Sequence, residues 1–186
     1  MKRQGLSKWF TSGVLALSIL ASSTPALASD MFLKMDGVKG ESLDSKHKDE
    51  IEVLSWSWGV QQSGTMAYGG GGGEGKANFN DFNFTHHVDK ASPVLMRACA
   101  TGNHIKEATI TVRKAGKGQQ EFLIIKMTDV IITSVNPGGS GDTAATAESI
   151  ALQFSKVELE YKPQKADGSL DAGVFFKYDI KAQKEG

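Results

Sequence analysis

The chain has 186 residues, of which 40% are hydrophobic and 23% are charged, and its 21 basic residues are balanced by 21 acidic ones. This balance gives no excess of positive charge, so it argues against a protein that binds nucleic acid or an anionic membrane surface. Cys99 is the only cysteine, so no intrachain disulfide can form and stability must come from packing or assembly.

The first 28 residues have the features of a signal peptide. A basic start is followed by the mainly apolar residues 9–20, and Ala26-Leu27-Ala28 has the small-residue pattern of a cleavage site after Ala28. An N-terminal membrane helix fits less well, because crossing a bilayer needs roughly 20 apolar residues. Cleavage would leave one domain, residues 29–186, with no stable membrane insertion.

Apolar residues in the rest of the chain recur mostly at every second position, and Gly, Asp, Asn, Ser and Pro separate the runs. This period is typical of strands with one buried face. Seven such runs predict a mainly β domain built as a two-sheet sandwich or barrel. The predicted strands span residues 30–35, 50–63, 77–85, 107–114, 120–135, 148–161 and 174–182.

Large apolar residues hold alternate positions in the second predicted strand and are expected to share one buried face. These residues are Leu54, Trp56, Trp58 and Val60. The residues between them, Ser55, Ser57 and Gly59, form a small polar stripe on the opposite face. The pattern alone favours an ordinary solvent-exposed face for this stripe.

A glycine-rich segment nearly matches a phosphate-binding loop. Gly70, Gly75 and Lys76 occupy the required positions, but Ala77 replaces the Ser or Thr whose hydroxyl would bind magnesium. A strand is predicted to follow, whereas a phosphate loop opens a helix. We therefore interpret the segment as a long loop between two strands, in which glycines permit unusual backbone angles.

One short helix is predicted within residues 89–102. Ser92 is placed to cap it, Pro93 suits the first turn, and Gly102 supplies a stop. One apolar flank is expected to lie on the sheet, formed by Leu95, Met96 and Cys99. Cys99 is then a small buried hydrophobic residue.

The apolar pattern changes phase within residues 148–161. Even-numbered positions are apolar before Ser155-Lys156 and odd-numbered ones after it. An inserted bulge residue would have this effect and would bend the strand.

No arrangement of residues indicates a reaction or a bound cofactor. The four histidines are His47, His86, His87 and His104, and the adjacent pair should point to opposite faces of a strand. No carboxylate or cysteine motif supplies further metal ligands at suitable spacing, and no motif of nucleophilic or metal-assisted hydrolysis is present. The sequence predicts no metal, no cofactor and no enzymatic activity.

Short motifs characteristic of one protein family are spread over residues 30–178. They are Met31-Phe32-Leu33-Lys34, Val38-Lys39-Gly40-Glu41-Ser42, Trp56-Ser57-Trp58-Gly59, the five glycines of 69–73, Ser92-Pro93-Val94-Leu95-Met96, Arg113-Lys114-Ala115-Gly116 and Tyr161-Lys162-Pro163-Gln164-Lys165-Ala166-Asp167-Gly168. With these motifs the segment resembles the Hcp family, the tube protein of the type VI secretion system.

The resemblance implies a two-sheet β-barrel with one flanking helix, similar to phage tail-tube subunits. It also implies homo-hexameric rings that stack into a hollow tube, with spike and sheath components and small effector proteins as partners. Small polar residues of such rings face the central channel, so Ser57 and Ser55 are the expected effector contacts. An extended loop between subunits is implied for Thr65, Met66, Tyr68, Gly69, Gly70, Gly71, Gly72 and Gly73.

The leader is a departure from the family, whose members begin close to the position of Met31 and assemble in the cytoplasm. A signal peptide would instead export single subunits to the periplasm or the medium. The alternative is that translation starts at Met31, in which case the leader is not made. The sequence therefore leaves two functions open: a subunit of the type VI tube, released as a secreted protein, or an exported ring or binding module outside the sheathed tube.

Overall fold

Ten strands and one helix follow one another in residues 29–62, 76–114, 118–141 and 146–186, the parts of the chain that this computed structural model describes. Ala26, Ala28 and the loop residues 65–73 lie outside these parts. The elements are β1 (Ser29–Met35), β2 (Ile51–Ser57), β3 (Val60–Gln62), β4 (Ala77–Phe79), β5 (Phe82–His87), α1 (Ser92–Thr101), β6 (Ile105–Lys114), β7 (Glu121–Gly138), β8 (Ala147–Tyr161), β9 (Val174–Asp179) and β10 (Lys184–Glu185).

The strands form an antiparallel barrel in the order β8, β5, β2, β1, β6 and β7, which closes because β7 also pairs with β8. β9 and β10 continue the sheet outside the barrel beyond β8, and β3 and β4 form a separate two-stranded arm. Inward-facing apolar residues from the barrel strands and α1 fill the core. The predicted mainly β barrel with one short helix is confirmed.

The two longest strands, β7 and β8, change their pairing partners along their length. Residues 147–152 of β8 pair with β5, and residues 156–161 pair with β9. β7 pairs with β6 only as far as Val130, while its pairing with β8 continues to Gly138. This division is possible because both strands bend.

The bend explains the phase change predicted in β8, but the predicted bulge at Ser155-Lys156 is wrong. The register with β7 is continuous there, and the shift lies between Ile132 and Ser134 of β7. The alternation of inward and outward side chains changes phase at the same place in both strands, because Asp129 of β7 adopts a left-handed backbone with φ of 56°. Its carboxylate accepts hydrogen bonds from Lys181 Nζ and His104 Nδ1, each at 2.6 Å, and from the Ser155 hydroxyl.

A bulge in β2 overturns part of the predicted buried face. The register with β5 shifts between Val53 and Ser55, so Val53 is buried whereas Leu54 is 47% exposed. Val60 is 50% exposed in the arm. Trp56 and Trp58 do pack against the core.

The predicted strands 50–63 and 77–85 each break in two, and the breaks lie side by side. The Asn80 N–H donates to the Gly59 carbonyl at 2.9 Å. Trp58 lies beside this bend and stacks on Phe79, with a ring-centre distance of 5.9 Å, and contacts Phe154 at 5.9 Å. These aromatic contacts fix the base of the arm against the barrel.

The predicted helix is confirmed, with two differences. Ala91 is the N-cap, one residue before the predicted Ser92, which is the first helical residue. The Ser92 hydroxyl instead accepts from the Asp89 N–H at 3.1 Å. Leu95 and Ala98 are the buried apolar residues, whereas Met96 is 47% exposed, because adjacent helical residues are about 100° apart around the axis. Gly102 ends the helix with φ of 66°, as predicted.

Arg113 fixes the long connection between β1 and β2. Its side chain is 3% exposed and donates to Asp30 at 3.2 Å and to Asp44 at 2.5 Å. The guanidinium lies over the Phe32 ring at 4.7 Å, and His47 stacks on Phe32 at 4.4 Å. Asp44 also accepts from the N–H of His47, so the connection is bound to β1 and β6 at several points.

We expect Trp58→Ala to lower the free energy of unfolding by about 3 kcal/mol, because it removes aromatic contacts and leaves a cavity at the bend. Val60→Ala is the matched control, since its half-exposed side chain contributes little. Urea denaturation of both variants measures the difference. Equal losses would show that the arm is not anchored through Trp58.

Stability should also depend on pH through Asp44. The hydrogen bond from Arg113, followed by that from the Lys46 N–H, holds the pKa of the Asp44 carboxyl well below its usual range. A lowered folded-state pKa gives stability that is present above the unfolded pKa of about 4 and is lost as pH falls further. Asp44→Asn should therefore be destabilised relative to the parent at pH 7, and the difference should shrink below about pH 4. Denaturant melts across this range measure it, and a difference independent of pH would contradict the assignment.

Candidate functional site

Four neighbouring strands expose a face of small uncharged side chains, which we call the polar face. Two cross-strand rows run through β2, β5, β8 and β7. The first row is Ser57, Asn83, Ala151 and Ser134, and the second row is Ser55, Thr85, Ser149 and Asn136. All except Ala151, which is buried, are partly or fully exposed.

The polar face exists because the alternate residues of the same strands are large and apolar. Phe82 and Phe84 of β5 and Ile150 and Leu152 of β8 are fully buried, and side chains in a strand alternate between its two faces. Trp56 stacks inward on Phe82 at 5.6 Å. The core therefore directs the small residues outward.

The two rows of the polar face carry no formal charge, and hydrogen bonds link some of their side chains. The hydroxyls of Ser55 and Thr85 share a hydrogen bond of 2.6 Å, and Asn136 Nδ2 donates to Ser134 Oγ at 2.6 Å. The four strand segments 51–57, 82–87, 131–138 and 147–154 contain no Lys or Arg. A surface of this kind offers hydrogen-bond groups to a partner but no positive charge to a polyanion.

Asp81 stands at one end of the polar face. Its carboxylate accepts from Thr133 Oγ1 at 2.7 Å and from Gln153 Nε2 at 2.9 Å. Thr133 is the bulge residue of β7, between the shifted pairs. Asp81 therefore ties the bend between β4 and β5 to both long strands.

The sheet that carries the polar face has two unpaired edges. β2 pairs with β1 only at Ile51 and Glu52, and β7 pairs with β6 no further than Val130. Within the described parts of the chain, no strand pairs with the outer edges of residues 53–57 or 131–138. Unpaired backbone N–H and C=O groups at such edges are ready to pair with another chain.

The histidines have structural positions. His86 is buried and His87 is exposed, as their adjacency predicted. His86 Nε2 lies 2.8 Å from Glu148 Oε1, and both side chains are 1% exposed, although the two atoms are not aligned for a hydrogen bond. Burial raises the pKa of the nearby Asp89 carboxyl. Over the described ranges, no cluster of three or more His, Cys, Asp or Glu is arranged to hold a metal ion.

Ser55 and Ser57, the two site residues predicted in the described parts of the chain, both lie on the polar face and are exposed. Sequence reasoning missed the small polar residues of the other three strands, whose signal was the same alternation with large apolar neighbours. They are Asn83, Thr85, Ser134, Asn136 and Ser149.

The near match to a phosphate-binding loop is not followed by a helix. Gly70 and Gly75 lie outside the described residues, and Ala77 begins strand β4. No helix of the described segments is long and apolar enough to cross a membrane.

These features define a class: a closed β-barrel protein with one neutral polar sheet face bordered by two open edges. Residues 32–161 match the family model described as "Type VI secretion system effector, Hcp". The chain is 51% identical over 148 residues to protein hcp1 of Pseudomonas aeruginosa, which covers 79% of this chain and 91% of that protein.

Solved structures agree with the sequence match. The crystal structure of Hcp1 from Salmonella typhimurium is similar with a TM-score of 0.70 and 41% identity, covering 85% of this chain and 99% of that one. A structure described as that of a type six secretion system protein gives a TM-score of 0.80 and 30% identity, covering 86% and 100%. This chain therefore belongs to the Hcp family, the tube protein of the type VI secretion system, and the resemblance of its motifs is confirmed.

Asp81→Ala should destabilise the protein by about 1 kcal/mol, since two hydrogen bonds to a partly exposed carboxylate are lost. Asp81→Asn, which keeps one acceptor oxygen, should cost less. Urea denaturation together with hydrogen exchange of residues 131–138 measures both effects. Unchanged exchange in β7 would mean that Asp81 does not hold the bulge.

Proposed function

We propose that this chain forms homo-hexameric rings that stack into the hollow tube of a type VI secretion system and carry small effectors in the channel. Membership of the Hcp family supports the role of tube subunit. The number of six copies, the spike and sheath components and the effectors as partners follow from the resemblance. The observation that carries the proposal is the neutral polar face between two open edges.

The two open edges are suited to pairing head to tail. Residues 131–138 of one copy would pair along residues 53–57 of the next, so each copy uses two different edges. Such heterologous contacts generate a ring when the rotation closes. Pairing would satisfy backbone groups that are otherwise open to any strand.

Edge pairing would make the polar faces of neighbouring copies continuous. Each copy would contribute its rows of small side chains to one wall, and Ser57 and Ser55 would face the channel. Cargo that slides or detaches needs weak contacts, and short uncharged side chains supply hydrogen bonds without strong charge attraction. The lack of Lys and Arg in these segments disfavours nucleic acid as a cargo.

The extended loop is proposed to contact adjoining subunits, either within one ring or between stacked rings. Thr65, Met66, Tyr68 and the glycines Gly69, Gly70, Gly71, Gly72 and Gly73 would lie at the end of the arm whose base is β3 and β4. The stacking of Trp58 on Phe79 supports a fixed direction for that base. The loop would then reach an adjoining copy.

The alternative of an exported ring outside the sheathed tube is not favoured. Family membership supports a protein that type VI secretion itself releases. Cleavage after Ala28 and export of the domain 29–186 stay predictions from the sequence. Because the family is one of structural tube proteins, we also propose that this chain has no enzymatic activity.

Ser57→Arg tests the channel assignment. The change would place a long positive side chain from every copy in the channel, so rings should persist while retention of a co-produced small effector falls at least tenfold. Native mass spectrometry counts the copies, and affinity isolation of the rings measures the bound effector.

Ala100→Arg, at an exposed position of α1, is the matched control and should retain the effector. Parent protein that stays monomeric at all concentrations would refute the ring. Loss of folding in Ser57→Arg would instead place that side chain in the core.

A further inference from the structure

A cleft lies beside the open edge of β2. It has a volume of about 400 Å³ and forms where β1 and β2 separate beyond their two paired positions. Phe32 and Val53 line it, together with Leu54 and Arg113. The cleft therefore joins the open backbone edge to an apolar and partly charged wall.

Leu54 is unusual at this place. It is the extra residue of the β2 bulge, and 47% of its surface is exposed next to unpaired backbone. Open edges are normally protected by charge, proline or a covering segment. An exposed leucine on an open edge instead favours pairing with another strand.

The cleft wall carries more negative than positive charge. Arg113 donates to both Asp30 and Asp44, and Glu52 lines the cleft as well. An acidic strand placed there would meet these carboxylates, and any charged strand would lose hydration on pairing. An uncharged strand fits this wall better.

The chain itself contains such a strand at its other open edge. Residues 131–138 have the sequence Ile-Ile-Thr-Ser-Val-Asn-Pro-Gly, with no formal charge, and Ile131 and Val135 are only partly buried. The outer strand β9 exposes Val174, Phe175 and Phe176, but it also carries Lys177 and Asp179, and β10 already pairs with its outer edge at Tyr178 and Asp179. Of these two candidates, 131–138 is the better match to the cleft.

We propose that Leu54 is the main apolar contact between two copies of this chain, and that it packs against the 131–138 edge of the next copy beside the cleft. The inference rests on the proposed ring and deepens it by naming the residue on which assembly depends. The contact joins two different surfaces, so it excludes a two-fold pairing of β2 with β2.

The first experiment compares Leu54→Lys with Met96→Lys, whose parent side chains are both 47% exposed. Size-exclusion chromatography with light scattering measures assembly, and urea denaturation measures stability. We expect Leu54→Lys to raise the concentration needed for half-assembly at least tenfold without lowering stability, while Met96→Lys assembles like the parent. Rings of Leu54→Lys at the parent's concentration would overturn the inference and leave the proposed ring intact. Absence of rings in the parent would overturn both.

A second experiment decides the matter if Leu54→Lys does not fold. In a Cys99→Ala background, Leu54→Cys is mixed with Thr133→Cys or with Asn136→Cys, both exposed positions of the β7 edge. Oxidation should give covalent dimers in a mixture but not in any single variant alone. Dimers of Leu54→Cys alone, or no cross-link with either partner, would overturn the contact.

Discussion

The continuous pairing of β7 with β8 is the constraint on which the rest of this structure depends. The two strands stay in contact from Leu123 and Tyr161 to Gly138 and Ala147, while their other neighbours change along their length. β8 pairs with β5 in one half and with β9 in the other, whereas β7 pairs with β6 in one half only. One half completes the sheet that carries the polar face, and the other half carries β9. Because a strand has only two edges, this change of partners leaves β7 unpaired on one side along residues 131–138.

Three polar anchors hold the bent parts in place. Asp129 joins the bend of the long strands to the start of β6 and to the turn after β9, Asp81 joins the bend of β4 and β5 to β7 and β8, and Arg113 joins the long connection to β1 and β6. All three involve carboxylates that accept hydrogen bonds from more than one residue. At a bend, the backbone hydrogen bonds between strands are interrupted. Side-chain hydrogen bonds such as these then hold the direction of the strand.

The barrel was predictable from local alternation of apolar and polar residues, and the helix from Pro93 and Gly102 near its ends. Alternation also placed Ser55 and Ser57 together on one face of β2, whereas their role as channel residues was expected only from the resemblance. The outcome for Leu54 was not predictable, since a single extra residue in β2 reverses the phase that alternation predicts. The phase change in β8 was visible, but its cause lies in the backbone of Asp129 on the partner strand. Met96 was misplaced because the predicted flank included adjacent helical positions, which point in different directions.

The sequence alone determined the fold class and the family, because apolar periodicity and short motifs are properties of the chain in order. It also determined the absence of positive charge along the four segments of the polar face. Only the tertiary structure decided that those segments lie side by side, since the pairing of β2, β5, β8 and β7 joins residues far apart in the chain. It also decided which edges remain open, because hydrogen bonding between strands depends on register and bending across the whole barrel and not on any one segment.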